Sequence, residues 1–86
     1  MTNRQRGLTK SVHSREQVAF RALMVAARKD AGLTQQALAK RLKRHQSFIA
    51  KYEGGERRLD VVEFLAITRA IGADPIKLMK SLIKQF

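Results

Sequence analysis

Four helix-start signals, at Ser14, Thr34, Asp60 and Asp74, punctuate this chain and constrain its fold more than any other feature. Ser14 precedes Gln17, and Asp60 precedes Glu63, at the spacing of a capping box. In that motif a short polar side chain accepts from a backbone N–H one turn ahead, while the later side chain reaches back to the cap. Thr34 offers a hydroxyl cap to a second segment. Asp74 caps the last one, with the only proline, Pro75, at the first helical position, where its missing N–H is not needed. Stops alternate with these starts at Gly32, at the Gly54–Gly55 pair and at Gly72, residues whose lack of a Cβ lets the chain turn left-handed. No stretch alternates with period two. The expectation is an all-α domain of five helices.

The apolar positions agree with this division. Phe20, Leu23, Met24 and Ala27 fall at helical spacing on one side of a first helix running from the Ser14 cap to about Asp30. The segment "QQALAKRL" carries Leu38 and Leu42, and "HQSFIAKYE" follows after only about two residues, so these short helices must cross steeply. Asp60, Glu63 and the Leu59–Phe64 staple make "VVEFLAITRAI" the best-signalled helix. In "PIKLMKSLIKQF", Ile76, Met79, Ile83 and Phe86 form a stripe with Leu78 and Leu82 beside it and Lys77, Lys80 and Lys84 opposite. Its first half is read as closing the core and its second as meeting another copy of the chain. Residues 1–13 read as a flexible basic arm, whose Arg4, Arg6 and Lys10 would track a groove, and residues 14–86 as the domain.

Charge narrows the function. With 18 basic against 7 acidic residues in 86, the formal charge is +11, a field that draws in polyanions before any specific contact forms. There is no cysteine, which removes disulfides, thiolate metal sites and cysteine nucleophiles. His13 and His45 have no carboxylate or second histidine at ligand spacing, so no metal, cofactor or catalytic role is expected. The absence of a signal-like or long apolar run gives a cytoplasmic expectation, with no membrane partner.

The basic residues concentrate in "KRLKRHQSFIAKYEGGERR", Lys40 to Arg58. Together with the preceding "TQQALA" this fits a helix-turn-helix: a capped helix, small Ala39 where a second helix packs across it, a tight turn, and Ile49 and Tyr52 directed inward. Lys43 and Arg44 then flank the second helix as phosphate clamps, and His45 reads as a surface or phosphate-side histidine.

In "AGLTQQALA", "IAKYEGGERR" and "AIGADPIKLM" the chain resembles the phage-repressor and Cro-like, or XRE-like, helix-turn-helix regulators over about residues 18–80. The resemblance implies a lambda-repressor-like domain whose second motif helix enters the major groove of double-stranded DNA. It implies a phosphate contact at Gln35, beside the positive end of a helix. It also implies base-facing positions at Gln46, Ser47 and Lys51, whose chemistries suit adenine, several bases and guanine respectively. Phe48 lies between the two sides, placed either to touch a thymine methyl or to support the motif from the core. Arg28 and Glu53 match a helix-bridging ion pair, read here as orienting the recognition helix, since it would add only about 0–1 kcal/mol if solvent-exposed. Arg57 and Arg58 match a loop that contacts phosphates, which sets register without choosing sequence.

Two positions depart from the family pattern. Lys43 stands where relatives carry a turn glycine, and a left-handed residue there would cost roughly 1–2 kcal/mol. Arg44 and His45 replace a small hydroxyl cap, so the recognition helix either starts without a side-chain cap or starts one residue later, at Gln46 or Ser47. The expected function is a non-enzymatic, sequence-specific transcriptional regulator, a repressor that binds a palindromic operator as a homodimer and joins the nucleoid when bound. The alternatives are an antitoxin-like or adaptor protein whose main role is to hold a protein partner, and an RNA binder, ranked lower for want of aromatic stacking platforms.

Overall fold

Helices follow the start and stop signals closely in a computed structural model of the chain, which describes residues 13–86. They are α1 (Arg15–Asp30), α2 (Gln35–Leu42), α3 (Gln46–Glu53), α4 (Val61–Ile71) and α5 (Pro75–Lys84), with no strand among the described residues. The fold is all-α. Apart from His13, the expected basic arm lies outside the described residues.

Each cap is made by the side chain that the sequence offers. The N–H of Gln17 donates to Ser14 Oγ at 3.1 Å and that of Ala37 to Thr34 Oγ1 at 3.0 Å. The Asp60 box closes in both directions: the Glu63 N–H donates to Asp60 Oδ1 at 2.7 Å, and the Asp60 N–H to Glu63 Oε1 at 2.9 Å. Asp74 Oδ1 accepts from the Ile76 N–H at 2.8 Å. These bonds satisfy donors that helices leave open at their starts, which is why sequence signals locate the ends so well.

The core forms where the helices converge. α2 packs against α3 and α4, α1 against α3 and α5, and α4 against α5. Met24, Leu38, Ile49, Tyr52 and Ile67 are almost wholly buried, with Phe20, Ala27, Leu42, Leu78 and Met79 packed around the cluster. The Phe20 and Phe64 rings join α1 to α4 at a centroid separation of 5.7 Å. Leu23, expected on the core side, is only half-buried. Ile76, expected on the inward stripe of α5, is exposed. Leu78, Met79 and Leu82 are half-buried, whereas Ile76 and Ile83, seven residues apart and so on one side of the helix, are exposed.

One polar contact runs through this packing. Arg28 donates from Nε to Glu53 Oε2 at 2.8 Å and from a terminal nitrogen to Glu53 Oε1 at 3.0 Å, while its other terminal nitrogen reaches the Leu33 carbonyl at 2.8 Å. The two side chains are only 9% and 6% exposed. The expected pair is therefore present and buried, so the small energy of a solvent-exposed bridge does not apply to it. Its position under α2, where α1 ends and α3 ends, withdraws both groups from water, and this raises what is at stake in removing either one. The bond to Glu53, opposed by burial, holds the Arg28 guanidinium above its ordinary range.

Two predictions follow from the core chemistry. Arg28→Met or Glu53→Leu alone should cost about 3–5 kcal/mol in urea unfolding, because each strands a buried charge, whereas the double substitution should recover most of that loss. Tyr52, the only tyrosine, has a buried hydroxyl with no hydrogen-bond partner among the described residues. Burial, followed by the nearby Glu53 carboxylate, pushes its phenol above the usual range against the smaller opposing effect of Arg28. Above a pH of about 10 the unfolded chain loses this proton while the fold retains it, so stability declines as pH rises further. Tyr52→Phe should abolish that part of the decline and add roughly 1 kcal/mol at neutral pH, and phenolate absorbance of the native protein should appear only well above the ordinary tyrosine range.

Candidate nucleic-acid interface

The turn that launches α3 explains the departures at Lys43, Arg44 and His45. Lys43 adopts the left-handed conformation, φ 57° and ψ 42°, the only non-glycine residue with positive φ among the described residues. Its N–H donates to the Lys40 carbonyl at 3.1 Å, and the Arg44 N–H donates to the Ala39 carbonyl at 3.0 Å, closing the end of α2 in the Schellman manner. The Lys43 side chain is exposed, so the cost is confined to its own backbone, roughly 1–2 kcal/mol. His45 has extended cap geometry but makes no side-chain cap bond, and α3 starts at Gln46. Both halves of the expected alternative hold: the cap bond is absent and the helix begins one residue later.

α3 has two sides of opposite character. Phe48, Ile49 and Tyr52 are buried, and Gln46, Ser47, Ala50 and Lys51 are exposed. The three expected base-facing residues thus share one solvent-facing stripe, as spacings of one, four and five along a helix require. Ala50 belongs to the same stripe and was missed by sequence reasoning, although it follows Gln46 by four residues. Its methyl keeps the middle of the stripe low, allowing close approach to a groove floor and offering an apolar contact of the kind that matches a thymine methyl.

Phe48 belongs to the core. It is 8% exposed, meets the Tyr52 ring edge-on at 5.4 Å between centroids, and has the guanidinium carbons of Arg44 and Arg57 at 3.9 Å and 4.9 Å from its ring centroid. Of the two placements open to Phe48 in the sequence, the ring takes the one in the core. The indication available in the sequence was adjacency to Ile49, which already pointed inward.

Gln35 is drawn into a network instead of standing open at the start of α2. Its Nε2 donates to Glu53 Oε1 at 2.9 Å, and its Oε1 accepts from Gln46 Nε2 at a long 3.4 Å. A chain of polar contacts thus extends from Arg28 in α1 through Glu53 and Gln35 to Gln46 at the front of α3. A carboxamide nitrogen carries two donors, so the bond to Glu53 is compatible with a second acceptor such as a phosphate oxygen.

The basic residues of the motif divide by partner. Arg41 donates to the Ala70 carbonyl at 2.8 Å and so ties α2 to the end of α4. Arg57, expected to face phosphate, is half-buried, with one terminal nitrogen 3.0 Å from Glu63 Oε2 and the other buried without a hydrogen-bond partner. Glu63 captures it because the capping box already fixes that carboxylate beside the loop. Lys43, Arg44, His45, Lys51 and Arg58 are exposed. Gly55 shapes the loop that carries Arg57 and Arg58: its φ is +82°, and an added Cβ would come within 3.0 Å of the Arg21 guanidinium carbon.

Among the described residues there is no group of three or more His, Asp or Glu side chains able to hold a metal, and no helix is long and apolar enough to cross a membrane. The motif thus presents one exposed side of α3, with exposed basic residues before it at Lys43 and Arg44 and after it at Arg58.

Comparison with known proteins agrees with this geometry. The family model described as a helix-turn-helix domain matches residues 19–78. An XRE-family like protein from Pseudomonas syringae pv. tomato str. DC3000 is 46% identical, with 86% of this chain and 90% of that one covered at a TM-score of 0.80. The restriction-modification controller protein C.AhdI from Aeromonas hydrophila is 28% identical over 71% of this chain and 92% of its own, with a TM-score of 0.64. The clp gene regulator ClgR from C. glutamicum shares the fold, with a TM-score of 0.70 at 19% identity over 79% of this chain and 88% of its own. No curated protein matches the chain. From the motif, its two-faced second helix and these relationships, the chain belongs to the XRE-like helix-turn-helix family of DNA-binding transcription regulators.

Proposed function

We propose that the protein is a sequence-specific repressor that binds a palindromic DNA operator as a homodimer, with α3 in the major groove of each half-site. The observation that carries this reading is the exposed stripe Gln46, Ser47, Ala50 and Lys51 on a helix whose opposite side is core. Gln46 suits an adenine edge and Lys51 a guanine edge, with Ser47 permissive and Ala50 apolar. Lys43, Arg44, His45 and Arg58 border the stripe as phosphate contacts. Gln35 and the start of α2 add a further one, and Arg57 joins them only by leaving Glu63. The Arg28–Glu53 pair, through Gln35, fixes the angle at which the stripe is presented.

Magnitude favours two subunits. Specific sites exceed non-specific DNA by about 4–10 kcal/mol, and each good base contact discriminates by about 1–3 kcal/mol, so the few readers of one α3 span the range only if all are near ideal. Two copies reading half-sites about one helical turn apart reach it readily. The end of α5 supports self-association: Ile83 on the helix and Phe86 just past its cap remain 70% and 55% exposed, and no residue of the helix is buried. A repressing role follows from the simplest use of such a domain, occupation of a promoter.

Fluorescence anisotropy with duplexes selected from a random pool tests the reading. Binding should weaken linearly in a plot of log affinity against log salt, and the selected sites should be palindromic; absence of binding at low salt would sink the proposal. Lys51→Ala should cost about 1–3 kcal/mol and relax preference at one position in each half-site. Ile83→Asp should shift the sedimentation equilibrium toward monomer and lower operator affinity; a wild-type protein that stays monomeric when bound would remove the dimer from the proposal.

A further inference from the structure

We propose that Phe48 is a positioning residue for Arg44, its ring holding the guanidinium beside the start of α3 so that the cation is already placed when phosphate arrives. The inference rests on the DNA-binding reading above and assigns part of its affinity to a side chain that touches no DNA.

The geometry begins with the backbone. The left-handed Lys43 and the bond from the Arg44 N–H to the Ala39 carbonyl fix where Arg44 leaves the turn. The side chain then crosses the Phe48 ring, with its guanidinium carbon 3.9 Å from the centroid, well inside the roughly 6 Å within which a cation and an aromatic face attract. The ring itself is fixed by burial and by the edge-on Tyr52 contact. An arginine has among the largest side-chain entropies, and a stacked guanidinium gives up much of it before binding instead of during binding.

The neighbouring charges sharpen the assignment. Arg57 approaches the same ring at 4.9 Å, but Glu63 balances its charge at 3.0 Å, which limits repulsion between the two guanidiniums. Arg44 is exposed and, among the described residues, pairs with no carboxylate, so its positive charge is available to a polyanion. Phe48 thus sorts two arginines: one is neutralised within the fold and the other is held ready at its surface.

A double-mutant cycle with Phe48→Leu and Arg44→Ala tests this, using anisotropy with a short mixed-sequence duplex and a selected duplex across a salt series. Leucine keeps an apolar side chain at the site and removes the aromatic face; Phe48→Met serves the same purpose if circular dichroism shows that the leucine variant is not folded. Arg44→Ala should lower affinity on both duplexes and reduce the salt exponent by about one. Phe48→Leu should weaken binding to both duplexes roughly two- to fivefold with the exponent unchanged, and should have no further effect in the Arg44→Ala background. An equal cost of Phe48→Leu with and without the Arg44 side chain, or a loss confined to the selected duplex, would instead make Phe48 a structural support of α3 and overturn the proposal. In the free protein, the Arg44 Nε–H order parameter from NMR relaxation should fall in Phe48→Leu, and an unchanged value also overturns it. If the wild-type protein binds neither duplex, the functional reading fails, while the order parameter still decides whether the ring restrains Arg44.

Discussion

The buried pair between Arg28 and Glu53 is the contact that ties α3 to α1 and, by way of Gln35, to the start of α2. Its carboxylate comes from the last residue of α3 and its guanidinium from the last turn of α1, with Gln35 at the start of α2 completing the set. Three helices with short apolar faces could slide on one another at small cost if only dispersion held them. A bidentate charge pair has one good geometry, and outside it two desolvated charges lose their compensation. Such a pair contributes a fixed geometry between α1 and α3 more than net stability.

From that fixed base, α3 carries opposite chemistry on its two sides. Its buried residues fill the angle between α1, α2 and α4, and the exposed ones form a stripe low enough at Ala50 to follow a groove floor. The surrounding cations are not equivalent, although their side chains are chemically alike. Arg41 is spent on a helix end and Arg57 on Glu63, whereas Arg44 rests on an aromatic ring with its charge open. A dense basic segment has in this way been divided between packing and surface charge.

Much of the fold was legible in the sequence because its helix ends are made by local hydrogen bonds. Ser14, Thr34, Asp60 and Asp74 each bond to an N–H within three residues, so identity and spacing suffice to place them. The same holds for the exposed stripe of α3, since helical periodicity places Gln46, Ser47 and Lys51 together once Ile49 and Tyr52 are turned inward. Legibility fell where partners come from far along the chain. Glu63 lies six residues beyond Arg57, across a loop whose path no periodicity describes, and the aromatic contacts of Phe48 depend on how the turn at Lys43 is folded.

Sequence alone determined the five helices of the described residues, their starts and stops, the inward face of most of them and the strongly positive field. These follow from capping, period and composition, which act over a few residues or over the chain as a whole. Tertiary structure decided that the Arg28–Glu53 pair is buried, that Phe48 lies in the core, that Ile76 faces outward, and that Arg41 and Arg57 find partners within the fold. Burial and ion pairing are set by distances between helices, and a spacing rule within one helix carries no information about what the next one brings alongside.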